Sequence, residues 1–141
     1  MLPAFDTPSG IPLSSVDLAK RVGIADAWNA AVISTAEATT LQLEYRYLAQ
    51  LTQNSTYWHK AEKVMSVVNA VRLPSNLAPI SMNVNDGSFS QSEIRLGSRG
   101  DSYYEYLLKQ YLQTTQTEPV YKKIRPRPRL RLGKWPWLLR W

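Results

Sequence analysis

Apolar positions recur at helical spacing through much of the chain. Leu41, Tyr45, Leu48 and Thr52 fall on one stripe and Leu43, Tyr47 and Leu51 on a second, which predicts a helix over residues 35–52 with a wide apolar surface. Ser34 and Glu37 supply an S-x-x-E capping box for its start. Tyr57, Ala61, Val64, Val68 and Val71 repeat the spacing, Trp58 and Met65 widen the face, and Thr56 stands where an N-cap is needed. A second helix over 57–72 follows, forming an α-hairpin with the first. A third is expected from about residue 102, where a second box, Ser102 with Glu105, precedes Leu107, Leu108, Tyr111 and Leu112.

Between Pro74 and Gly97 the period falls to two. Residues 80–84 alternate, Asp86-Gly87 is a strong turn signal, and residues 89–94 return as a strand, so a short β-hairpin is predicted. Pro3, Pro8, Gly10 and Pro12 make residues 1–15 a loop, or a short strand with turns. The fold class is therefore mainly α with a short β-hairpin. The two S-x-x-E starts are compatible with a repeated helix-pair design.

Composition narrows the chemistry more than the fold. The 141 residues, 44% hydrophobic and 20% charged, suit one domain with a real core. The absence of cysteine excludes disulfides and thiolate metal sites, and a single histidine leaves little scope for histidine-based ones. No basic segment followed by an apolar stretch opens the chain and no run of 18 apolar residues occurs, so neither a signal peptide nor a membrane span is expected. The net charge of +6 is confined to the end: eight of the 17 basic residues and no acid lie at 122–141. Residues 1–121 carry about −2.

The run from Arg95 to Tyr111 concentrates candidate chemistry. Asp101 and Glu105 are four residues apart, which on a helix puts both on one face with about 5–6 Å between Cβ atoms. Arg99 stands beside them. Glycosidases commonly use two carboxyl groups, one to protonate the leaving oxygen and one to activate water, about 6.5–9.5 Å apart for inversion. By residue chemistry alone, Asp101 and Glu105 serve equally as capping and solubilising acids.

The wording Gly97-Ser-Arg-Gly-Asp-Ser-Tyr-Tyr-Glu-Tyr-Leu-Leu-Lys-Gln110 closely resembles the active-site segment of glycoside hydrolase family 47, the class I α-1,2-mannosidases. Leu2-Pro-Ala-Phe-Asp-Thr-Pro-Ser-Gly-Ile-Pro12 and Thr35-Ala-Glu37-Ala-Thr-Thr-Leu-Gln-Leu-Glu44-Tyr45 are similar to family stretches in the same order, so the likeness covers residues 1–121. The resemblance implies part of an (α/α)7 barrel, about two of its helical hairpins. It implies inverting, Ca2+-dependent removal of terminal α-1,2-linked mannose from high-mannose N-glycans or glycoproteins. Asp101 matches an essential catalytic carboxylate; Arg99, Glu105 and Glu37 match substrate-binding positions. An arginine at position 99 looks like the endoplasmic-reticulum type, where Golgi types carry leucine, and the expected location is the endoplasmic reticulum or Golgi lumen or membrane. The family's further acidic residue, its base glutamate and the threonine that completes its Ca2+ site have no matching segment, so no metal ligand is expected in this chain. Membrane association is expected only through an anchor of the parent protein, and no nucleic acid partner is expected.

The likeness stops after Tyr121, where prolines at 126, 128 and 136 forbid a continuous helix and three of the five tryptophans fall in the last seven residues. The expected division is a partial catalytic domain at 1–121 and a basic Trp/Pro-rich tail at 122–141, outside the family and without ordered structure. Two functions follow: an α-1,2-mannosidase fragment, inactive by itself, or a non-enzymatic fragment whose cationic tail binds anionic membrane or nucleic acid. Asn54-Ser-Thr56 is an N-glycosylation sequon, and His59, among Lys60, Glu62 and Lys63, reads as a helix-surface residue.

Overall fold

The computed structural model describes residues 1–26 and 31–124, so the expected tail lies almost wholly outside the described residues. The chain begins with a 3-10 turn, Leu2–Phe5, that buries Ala4 and Phe5. Hydroxyls then order the proline-rich connector: Thr7 Oγ1 donates to Ile11 O (2.7 Å), and Ser9 Oγ donates to Val84 O (2.7 Å). The connector expectation for residues 1–15 holds. It leads into an unanticipated antiparallel hairpin, β1 (Ser15–Asp17) with β2 (Val22–Ile24). Asp17 Oδ1 accepts the Ala19 and Lys20 amides in its turn, both at 2.9 Å.

Strand β3 (Val32–Ser34) pairs antiparallel with β4 (Ser81–Asn83), with Ser34 opposite Ser81. The expected hairpin at 80–94 forms on the other edge of β4, though its return strand is reduced to isolated bridges, Met82 with Phe89 and Pro79 with Ile94. Gly87 at its turn has φ 75° and lies so close to Val67 that a Cβ would sit 2.3 Å from the valine Cγ1. The Asp86-Gly87 signal is thus both a turn requirement and a packing one.

The expected helix over 35–52 is two helices, α1 (Thr35–Thr39) and α2 (Gln42–Thr52). Thr39 Oγ1 donates back to Thr35 O (2.6 Å) and Thr40 Oγ1 to Ala36 O (2.8 Å), while the Leu41 amide turns to Gln42 Oε1 (3.1 Å). Side-chain competition of this kind bends and ends helices, and Thr40 leaves helical geometry at φ −121°, ψ 36°. The next helix, α3, runs Ser55–Ala70; its cap is Asn54, whose Oδ1 accepts the Thr56 amide (3.0 Å), and not Thr56. Left-handed Gln53 (φ 54°) ends α2 and folds α3 back against it.

Helix α4 (Asp101–Gln113) packs on α1 and α2, and α5 (Pro119–Ile124) packs on α4. Here too the expectation is corrected. The helix begins at Asp101 after Gly100 as N-cap, and the Ser102–Glu105 box does not form. Between the layers, Phe5, Tyr45, Val64, Met65, Val68, Met82, Tyr103 and Leu107 form one continuous core. Phe5, Tyr45 and Tyr57 pack in series, tilted and then edge to face, with ring centroids 5.2 and 5.8 Å apart.

Candidate functional site

The candidate residues gather where the starts of α1 and α4 meet. Gly97 O accepts the amides of both Gly100 and Asp101 at 2.9 Å, curling the chain into the first turn of α4. A Cβ on Gly100 would stand 2.9 Å from Arg95 O and 3.2 Å from Ile80 Cγ2, so glycine is needed there for close approach. Its φ of −132° is ordinary. The left-handed residue of this turn is Arg99, at φ 71°. For a side chain other than glycine that conformation costs about 1–3 kcal/mol and persists only where surroundings impose it.

The surroundings are α1. Arg99 O accepts the Ala36 amide at 2.9 Å and the Ser34 hydroxyl at 3.2 Å. Ser34 caps α1, its Oγ accepting the Glu37 amide at 3.4 Å, so half of the expected capping box forms. One hydroxyl therefore joins the turn carrying Arg99 to the turn carrying Glu37. The geometry depends on β3–β4 pairing, since the Thr35 amide bonds Ile80 O (3.0 Å) and Thr35 Oγ1 bonds Pro79 O (2.6 Å).

All four predicted residues are exposed on this edge. Asp101 occupies the first position of α4, where a helix dipole favours an anion by about 0.3–1 kcal/mol. Its Oδ1 accepts the Ser102 amide (2.8 Å) and hydroxyl (3.4 Å). Glu105, one turn on, is paired with Lys109 Nζ (2.7 Å), whose ammonium is held above its ordinary pKa chiefly by that hydrogen bond. Beside it the Tyr106 hydroxyl donates to Glu44 Oε1 (2.9 Å), and burial followed by that bond pushes the phenol up. Glu44 and Tyr106 escaped the sequence reading, although both stand inside the quoted family stretches. His59 is exposed on α3, as expected.

A second polar centre was also missed. Arg46 is buried on α2, pairs with Glu62 and Glu118, bonds the Tyr121 hydroxyl, and lies over the rings of Trp58 (4.7 Å) and Tyr121 (5.1 Å). Its signal was a charge falling among buried helix positions. It borders a hollow of about 540 Å³ shared with Tyr47, Gln50, Trp58 and Gln113, which none of the four candidate residues lines. Volume and chemistry thus point to different places, and the carboxylates and arginine carried on two directly bonded turns carry more weight than an open hollow.

Among the described residues no three His, Asp or Glu side chains form a group that could hold a metal ion. Nor is any helix among them long and apolar enough to cross a membrane.

A carboxylate at a helix mouth, a second one turn further along the helix and an arginine in the preceding turn are residue types that glycosidase chemistry uses, and comparison with known proteins identifies the family. Residues 1–125 match the model of glycosyl hydrolase family 47, and the chain belongs to that family. It is 52% identical over 118 residues to a mannosyl-oligosaccharide 1,2-alpha-mannosidase of Candida albicans, covering 84% of this chain and 21% of that protein. It is 44% identical over 117 residues to the endoplasmic reticulum mannosyl-oligosaccharide 1,2-alpha-mannosidase of Saccharomyces cerevisiae, covering 80% and 21%. A solved alpha-1,2-mannosidase from Trichoderma reesei superposes with a TM-score of 0.74 at 30% identity, covering 87% of this chain and 26% of that one. That neighbour is an (α/α)7 barrel, and the mainly helical chain with its short β-hairpin corresponds to part of one. The chain spans about a fifth of the length of these curated relatives. The match favours the mannosidase reading over a cationic tail acting on membranes or nucleic acid.

Proposed function

We propose that this chain carries one wall of the substrate pocket of a mannosyl-oligosaccharide 1,2-α-mannosidase, which removes terminal α-1,2-linked mannose from high-mannose N-glycans with inversion. Asp101 is the catalytic carboxylate, serving the leaving oxygen directly or through a water it holds. Arg99 offers planar, paired donors to sugar hydroxyls, and Glu105 and Glu37 accept from them. The observation that carries this reading is the clasp of Arg99 O by Ala36 N and Ser34 Oγ, which sets the Glu37 turn beside the Asp101 turn. The names of the S. cerevisiae and Schizosaccharomyces pombe relatives favour action in the endoplasmic reticulum. The calcium that the family resemblance implies is assigned, by that resemblance, to a C-terminal part of the complete enzyme.

Residues 1–121 exchanged into the S. cerevisiae relative should support Ca2+-dependent mannose release from an oligosaccharide with terminal α-1,2-linked mannose. Asp101→Asn should abolish it, and undiminished release would sink the assignment. The isolated chain is expected to bind the oligosaccharide without releasing mannose.

A further inference from the structure

Arg99 is exposed and, among the described residues, its guanidinium makes no ion pair or hydrogen bond. Only its backbone therefore determines where that side chain starts from. The backbone is in the left-handed region, φ 71°, which an arginine does not choose unaided. The bonds from Gly100 N and Asp101 N to Gly97 O close the turn around Arg99 without engaging its own carbonyl. That carbonyl is fixed by two donors from the other side of the site, Ala36 N–H and Ser34 O–H. Ser34 is itself immobile: it is 2% exposed, ends β3 in register with Ser81, and is followed by Thr35 bonded to Ile80 O and Pro79 O.

We propose that Ser34 is a positioning residue for Arg99: by holding the Arg99 carbonyl it keeps that residue left-handed and so aims the guanidinium at the sugar hydroxyls. Without the hydroxyl the carbonyl keeps a single donor, Ala36 N–H, which does not offset the cost of the left-handed backbone, so Arg99 relaxes to negative φ and its Cα–Cβ bond swings away from its present direction. The effect on substrate is then an orientation effect, transmitted through a peptide carbonyl. The inference rests on the mannoside reading for its ligand, and on the turn geometry alone for its mechanism.

The test uses the full chain, with NMR couplings reporting φ at residue 99 and titration with an oligosaccharide bearing terminal α-1,2-linked mannose. Ser34→Ala should move Arg99 to negative φ and weaken binding about tenfold, the scale of one lost charged hydrogen bond. Ser34→Thr, which keeps the hydroxyl, should restore both. In an Arg99→Ala background, Ser34→Ala should weaken binding no further. Positive φ retained in Ser34→Ala, or losses that simply multiply in the double variant, would overturn the proposal. Should Ser34→Ala not fold, Arg99→Gly against Arg99→Ala decides: glycine should be the more stable, and equal stability overturns the imposed conformation. A wild-type chain that binds no oligosaccharide, while Ser34→Ala still shifts φ, refutes the mannoside ligand and upholds the hold on Arg99.

Discussion

Arg46 and Glu118 lie 72 residues apart in sequence and 3.2 Å apart in space, tying α2 to the segment that leads into α5. The arginine side chain is 3% exposed, whereas Glu118 and Glu62 keep 33% and 35% of theirs in contact with water. This asymmetry orders the consequences of breaking the group. Glu62→Gln with Glu118→Gln leaves a buried cation without a counter-charge and should cost about 3 kcal/mol, the low end for an orphaned buried charge. Arg46→Leu should cost less, since the freed carboxylates reach water and leucine can pack between Trp58 and Tyr121. Urea unfolding of the variants checks the order, and a larger loss for Arg46→Leu would contradict it.

The two glycines of the turn should respond differently to alanine. At Gly100 a Cβ meets the Arg95 carbonyl and Ile80, and the strain should cost about 1–3 kcal/mol while displacing Asp101. At Gly97 nothing lies within 4 Å of the added methyl, and φ is not in the left-handed region. Gly97→Ala should therefore be neutral or stabilise by about 0.4–1 kcal/mol through a less flexible unfolded chain. Thermal melts of the pair distinguish a steric need for glycine from a mere turn preference in this loop.

Tyr103 is buried in the core, and its hydroxyl has no hydrogen-bond partner among the described residues. Tyr103→Phe should raise stability by about 1 kcal/mol, because the orphaned group is removed with little change of shape. Burial, then the nearby Tyr104, pushes the Tyr103 phenol well above its ordinary value, and burial likewise raises that of Tyr121. The folded state thus holds these protons more tightly than the unfolded state. Stability from this source is complete below the ordinary tyrosine pKa of about 10 and drains away as pH rises through the folded values. Denaturant midpoints on either side of that range should fall in the native chain and fall less in Tyr103→Phe.

Tyr47 and Leu51 on α2, with Leu108 and Leu112 on α4, stand one helical turn apart in pairs and are 54–62% exposed. Exposed apolar stripes of this kind promote association. Leu51→Lys with Leu112→Lys should reduce concentration-dependent light scattering while shifting the melting temperature little, since neither side chain is buried. Undiminished scattering would place the sticky surface elsewhere.

The helices were legible because apolar spacing and capping residues act between neighbours three or four positions apart. That logic found α2, α3 and α4, and the family wording picked out Asp101, Arg99, Glu105 and Glu37. It misplaced starts and ends where side chains chose among local partners: Asn54 outcompeted Thr56 as a cap, Thr39 and Thr40 ended α1, and Glu105 took Lys109 in place of a capping role. Such contests turn on small energy differences that residue type alone does not rank.

Sequence by itself determined the helical class and the turn at Asp86-Gly87, since both rest on short-range torsional and spacing rules, whereas the candidate site residues came from the resemblance of their wording to a family. Tertiary structure decided the β3–β4 pairing, the burial of Arg46 and the left-handed Arg99 clasped by Ser34 from 65 residues away. A donor so distant becomes a partner only after separate elements have packed, so its strength is a property of the assembled fold and of neither segment alone.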